Sequence, residues 1–94
     1  MNLPSFAEFE ARARVAGFDE VVERRWPPRT VLATHTHDVQ VDALVTQGEM
    51  WWGRAEGTQH LRPGERFTLQ RQVPHDERCG PEGATCWVAR RNAV

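Results

Sequence analysis

The stretch Thr34-His35-Thr36-His37-Asp38-Val39-Gln40-Val41-Asp42-Ala43-Leu44-Val45 places two histidines directly before an alternation of apolar and polar residues. Side chains on a strand point alternately to its two faces, so His35 and His37 project to the same side and can bind one ion. Strict alternation puts the valines and the alanine at positions 39, 41, 43 and 45 on that same side. The stretch therefore predicts a strand whose one face carries both a packed interior and part of a metal site.

Short apolar runs separated by glycine and proline make up the rest of the chain. They predict strands over 21–26, 30–34, 42–46, 50–52, 58–61, 67–69 and 85–89, with turns at 47–48, 53–57, 62–64 and 80–83. Many short strands in so short a chain are typical of a sandwich or barrel. The adjacent Trp51 and Trp52 must point to opposite faces, so at most one lines the interior.

The beginning of the chain has a helical pattern. Ser5 and Glu8 have the spacing of a capping box, and Phe6 and Phe9 follow at helical spacing until Gly17 provides a stop. An amphipathic helix is thus predicted over about 5–16. We expect it to cover a barrel opening or a sheet edge.

Composition excludes several functions. The 94 residues fit one domain, and the formal net charge of −1 offers no field for nucleic acid or an anionic membrane. The chain has no lysine, and Ser5, its one serine, lies at the helix start, so a lysine Schiff base and a serine triad in the barrel are excluded.

The chain starts with neither an apolar signal core nor a stretch long enough to span a membrane, which predicts a cytoplasmic protein. Cys79 and Cys86 do not form a CxxC pair and are predicted to be reduced, half-buried thiols.

A third histidine completes an ordered pattern. His75, preceded by Pro74, follows Pro63-Gly64, and Gly48 lies between this segment and the histidine pair. The order resembles the two motifs of the cupin superfamily over roughly Trp26 to Arg91. The resemblance implies a mainly β fold, a single-domain cupin-type antiparallel β-barrel (jelly-roll-like) over 18–94, with the short N-terminal α-helix of 1–17 packed on it. It also implies that His35, His37 and His75 correspond to the family's three histidine ligands.

The sequence departs from the family pattern at two places. The glutamate position of the first motif, counted back from Gly48, is occupied by Val41, which cannot coordinate a metal. Gln70 and Gln72 stand where the second motif usually has proline and glycine, so we expect a less rigid loop before His75.

The fourth ligand must then come from elsewhere: Gln40, Asp42 and water are the candidates. Strict alternation turns Gln40 and Asp42 away from the histidine face, whereas a bulge near Asp38 would bring Gln40 in through its amide oxygen. We favour Gln40 because it is closer to His37 and because a neutral amide is tolerated in a barrel more easily than an unneutralised carboxylate.

Three functions are compatible with these residues. The first is a metal-binding cupin enzyme that acts on a small polar metabolite at a divalent transition metal (Zn, Ni, Fe or Cu), since imidazole suits all of these. The second is a non-catalytic sensor or binding module without turnover. The third is a structural or interaction protein with relic histidines, for which Val41 is the best support.

The sequence identifies no general base, because the orientations of Asp38, Asp42, Asp76 and Glu77 are open. His60 is predicted to be a solvent-facing strand residue. The resemblance implies a homodimer with a small-molecule ligand, and neither nucleic acid nor membrane is expected as a partner.

Overall fold

The computed structural model describes residues 3–92, in which one helix precedes six strands. The elements are α1 (Phe6–Val15), β1 (Glu20–Trp26), β2 (Val31–His35), β3 (Gln40–Arg54), β4 (Gly57–Leu61), β5 (Arg66–Leu69) and β6 (His75–Arg91). The predicted mainly β architecture with one N-terminal helix is confirmed. Within residues 3–92, no helix is long and apolar enough to cross a membrane.

The long strands β3 and β6 are the centre of the fold. They pair antiparallel from Gln40 opposite Arg91 to Gly53 opposite Asp76. β1 extends this sheet beside the C-terminal part of β6 and β2 beside its N-terminal part. On the other side, β5 and β4 pair with the first and last parts of β3. The result is an antiparallel jelly-roll arrangement whose sheet does not close into a complete barrel.

The predicted turns at 47–48 and 80–83 are wrong, because both segments continue as strand. β3 instead has irregularities in its pairing with β6 between Val45 and Gln47 and between Gly48 and Met50. Gly48 and Gly83 have φ angles of 71° and 79°, and a methyl group on Gly48 would overlap the carbonyl oxygen of Gly83. These glycines therefore permit a close crossing of two bent strands and do not reverse the chain.

The interior face of the sheet follows the predicted alternation. Val41, Ala43 and Val45 are buried in the main core, and Val39 packs against it. The remaining core residues come from all parts of the sheet: Met50, Trp52, Leu61, Phe67, Leu69, Cys79, Ala84, Cys86 and Val88. Of the two adjacent tryptophans, only Trp52 is in this core, as expected for neighbours on opposite faces.

The helix packs on the outer face of the sheet, which corrects the expectation that it covers a barrel opening or edge. Phe9 and Ala13 are buried with Leu44 and Ala89, whose side chains point outward from β3 and β6. Trp87 contacts Phe9, with ring centroids 5.9 Å apart. The residues of β3 and β6 that point outward are apolar at these positions, so the helix is needed to shield them from water. The predicted Ser5–Glu8 capping box at the start of the helix is present.

The two cysteines are free and buried, more deeply than the half-buried thiols predicted from the sequence. Burial raises the pKa of Cys86 to about 12. Its thiol donates a hydrogen bond to the sulfur of Met50 at 3.6 Å. Both cysteines therefore behave as packing residues of the core.

The close approach at Gly48 predicts a large effect of one methyl group. We expect Gly48→Ala to lower the free energy of unfolding by about 3 kcal/mol, since backbone strain and overpacking each cost about 1–3 kcal/mol. Gly57→Ala is the control, because Gly57 also has a positive φ, 137°, but a methyl group there would meet no atom within 4 Å. It should cost about 1 kcal/mol, from strain alone. Urea unfolding of both variants measures the difference, and equal losses would contradict the close crossing.

Candidate metal centre

The structure brings the three predicted histidines together. His35 ends β2 and lies opposite His75, the first residue of β6, while His37 lies two residues further along the chain, before β3. The ring centroids of His35 and His75 are 4.3 Å apart, and His37 lies 4.9 Å from the first and 5.0 Å from the second. One donor nitrogen from each residue lies within 4.8 Å of the others. Such a group can hold a metal ion.

Backbone carbonyl groups orient two of the imidazoles. Nδ1 of His35 lies 2.6 Å from the oxygen of Ala33, and Nδ1 of His75 lies 3.0 Å from the oxygen of Val73. A carbonyl oxygen only accepts hydrogen bonds, so each Nδ1 carries a hydrogen, and Nε2 is the atom that offers a lone pair in the neutral imidazole. This second hydrogen bond is typical of histidines that bind metals.

The charge state of the third histidine also suits a ligand. Partial desolvation of the otherwise exposed His37 lowers the pKa of its imidazole, and the neighbouring His75 and His35 lower it further. The neutral imidazole is the form that binds a metal ion. The donor set therefore fits a divalent transition metal.

Hydrogen bonds tie the segment that carries His37 to the loop before His75. The backbone N–H of Gln72 donates to the oxygen of His37 at 2.8 Å, and its side-chain amide donates to the carboxylate of Asp38. Arg71 donates to the backbone oxygen of Asp38 at 3.0 Å. Gln72 has a φ of 63°, a conformation that favours glycine. The departure from the family pattern at Gln72 thus adds contacts to a loop that the sequence predicted to be less rigid.

The histidines line a cavity of about 430 Å³. Its charged lining residues are Glu77, Arg24 and Arg90. Its apolar lining residues are Trp26, Val31, Leu32, Ala33, Val41, Phe67, Leu69 and Val88. Phe67 and Leu69 belong to the main core and also line this cavity. The dimensions and the mixture of apolar and polar groups suit a small organic ligand.

Glu77 is the site residue whose place the sequence left open. It lies two residues after His75 on β6 and is only 8% exposed, and its Oε2 is 4.0 Å from Nε2 of His35. Burial raises the pKa of this carboxyl group, and the neighbouring His75 and His35 only partly oppose the effect. The sequence feature that would have predicted Glu77 in the site is its spacing of two residues from His75, because this spacing places both side chains on one face of a strand that begins at 75.

Gln40 and Asp42 do not line the cavity, whereas Val41 between them does. Gln40 begins β3 opposite Arg91, and Asp42 accepts a hydrogen bond from Thr68 at 3.5 Å. Within β3, irregular pairing with β6 comes only after Val45. The part of Gln40 as fourth ligand stays a prediction, and Glu77 is the carboxylate that the fold places in the cavity.

His60 lies outside this site. Its Nε2 is 2.8 Å from a carboxylate oxygen of Glu49, and its ring stacks on Trp51 with a centroid distance of 4.5 Å. Arg78 lies near the same indole, with its Cζ 4.4 Å from the ring centroid. The histidine predicted to face solvent is thus half-buried in a small cluster on the outer face.

Comparisons with known proteins identify the fold. No family model matches the chain, and no curated protein does. A protein of unknown function from Rhizobium leguminosarum superimposes with a TM-score of 0.74 and 17% identity over 99% of this chain and 98% of its own. An RmlC-like cupin from Shewanella frigidimarina has a TM-score of 0.71 and 19% identity, covering 82% of this chain and 68% of its own.

A further similar structure is an enzyme. A chain from the crystal structures of the DMSP lyases RdDddP and RnDddQII has a TM-score of 0.71 and 20% identity and covers 78% of this chain, which spans only 38% of its length. The likenesses, together with the jelly-roll sheet, show that the protein has a cupin-type fold.

The buried carboxylate predicts an unusual stability effect. We expect Glu77→Gln to raise the free energy of unfolding of the metal-free protein at neutral pH by about 1 kcal/mol, because an amide is buried at lower cost than a carboxylate. Glu82→Gln, at an exposed position, should change it by less than about 0.5 kcal/mol. Urea unfolding in the presence of a chelator measures both variants. A loss of stability in Glu77→Gln would mean that the attraction to His35 outweighs burial.

Proposed function

We propose that the protein is a metal-binding cupin that binds or transforms a small polar metabolite at a divalent transition metal held by His35, His37 and His75. The main observation in support of this proposal is the cluster of three imidazole donors, which all lie within 4.8 Å of one another in the wall of a cavity. The Nδ1 hydrogen bonds of His35 and His75 support it, since they leave Nε2 free to bind an ion.

Each part of the cavity has a task in this proposal. A bound divalent ion would supply Lewis acidity and lower the pKa of coordinated water. The three imidazoles would hold it, and zinc, nickel, copper and iron all accept such ligands. The apolar wall around Val41, Phe67 and Leu69 limits the water around the ligand. Glu77, whose Oε2 lies 4.0 Å from Nε2 of His35, would bind the ion or accept a hydrogen bond from the ligand.

Turnover and binding without turnover both use this site. The similarity to a DMSP lyase chain supports an enzyme, although the present chain spans 38% of that protein. The alternative is a sensor or interaction module that binds a ligand or a metal without converting it. A homodimer and a cytoplasmic location stay predictions.

Metal content tests the proposal directly. We expect near-stoichiometric transition metal in the natural protein, measured by plasma mass spectrometry, and none in the double variant His35→Ala/His75→Ala. His60→Ala is the matched control, because this imidazole contacts Glu49 and Trp51 and does not line the cavity. His37→Ala, at an exposed position, is a milder second variant. Absence of metal after loading with zinc, nickel, copper and ferrous iron would refute the proposal.

Two substitutions test the identity of the fourth ligand: Glu77→Gln keeps the size of the side chain, and Gln40→Ala shortens it. We expect Glu77→Gln to weaken the affinity for the ion about tenfold or more, as is usual for groups that contact or support metal ligands. Gln40→Ala should leave the affinity within about twofold, because Gln40 does not line the cavity. Competition with a chromophoric chelator measures both variants. The reverse result would support Gln40 as the fourth ligand.

A further inference from the structure

Two arginines enter the candidate cavity from the wall formed by β1 and the C-terminal part of β6. Arg24 and Arg90 both line it. Arg24 lies opposite Cys86, a fully buried core residue, and Arg90 lies two positions beyond Val88 on β6. Both side chains therefore lie on the inner face of the sheet, where Arg24 is exposed and Arg90 is half-buried, so a ligand that enters the cavity can reach them.

The arginines differ in their partners. Nη1 of Arg90 lies 2.7 Å from a carboxylate oxygen of Glu20. Among residues 3–92, no carboxylate lies within 4.0 Å of the guanidinium of Arg24, which lies 5.7 Å from the ring centroid of Trp26. Arg24 is thus the guanidinium of this wall with hydrogen-bond donors available to a ligand.

Both arginines are near the histidines. They line the same cavity as the three histidines and Glu77. With a divalent ion on neutral imidazoles, the positive charges at the cavity exceed the negative charges of Glu77 and Glu20. A neutral ligand would leave this excess unbalanced, whereas an anion would complement it.

We propose that the ligand of the cavity is a small organic carboxylate, with its carboxylate bound by Arg24, supported by Arg90, and its other polar end at the histidine cluster. The inference rests on the proposed function in placing a metal ion at that cluster. A planar guanidinium binds a carboxylate through two parallel hydrogen bonds. The apolar side chains of Trp26, Leu69 and Val88 in the lining favour a carbon backbone over an inorganic anion.

Calorimetric titration of the metal-loaded protein with matched acids and amides tests this inference. The probes are oxalate, malonate and succinate, each compared with its neutral diamide, together with inorganic phosphate. We expect at least one of the three acids to bind at least tenfold more tightly than its diamide and more tightly than phosphate. If no acid is preferred over its diamide, or if phosphate binds as tightly as the best acid, the inference is wrong.

A neighbouring arginine provides the matched control. Arg24→Gln should weaken binding of the preferred acid about tenfold or more, since charge-assisted hydrogen bonds are lost. Arg25→Gln removes the same charge from the next residue, which is exposed and pairs with Glu23, and should change binding less than about twofold. Equal losses in the two variants would overturn the assignment to Arg24.

The same titrations separate this inference from the proposed function. Stoichiometric metal without a preference for acids would leave the metal centre intact and reject the carboxylate site. An acid preference that depends on Arg24 in a protein that binds no metal would reject the metal centre and keep the anion site. Measuring metal content and titrating the metal-free protein in parallel distinguishes these cases.

Discussion

The pairing of β3 with β6 is the constraint on which the rest of the molecule depends. The other four strands attach to one of these two, and the close contact of Gly48 with Gly83 lets both run through the whole fold. The two ends of β6 then both contribute residues to one cavity. Its first residue meets β2 and assembles the histidines, while its last part meets β1 and brings in the arginines.

Local periodicity predicted much of this arrangement. The alternation of Val41, Ala43 and Val45 depends on strand geometry alone, so it could be derived without the tertiary structure. The capping box likewise involves residues three positions apart. The prediction that His35 and His37 lie on one strand was wrong, because β2 ends at His35 and His37 lies in the segment before β3. The position of His75 beside them needed more than local geometry, and the family resemblance supplied it.

The long-range features could not be derived in this way. Gly48 is a residue that is common in turns. Only its close contact with Gly83 on β6, which is distant in the sequence, explains why β3 continues through this position as a strand. The orientation of Glu77 depends on a strand that begins at 75, whereas the sequence predicted one from 85. Arg24 belongs to a basic pair, and its inward direction follows from its register with β6. In each case the deciding partner is remote in the sequence.

The pairing of His35 with His75 also has a kinetic consequence. The helix and the hairpin of β3 with β4 involve neighbours in the chain, whereas the contacts of β6 with β2 and β3 close long loops. Topologies dominated by such distant contacts fold slowly, in roughly milliseconds to seconds. We therefore expect the histidine cluster to form after the local elements, since a partly folded chain that holds only those elements does not contain it. An ion that requires all three imidazoles would select the chains that have completed folding.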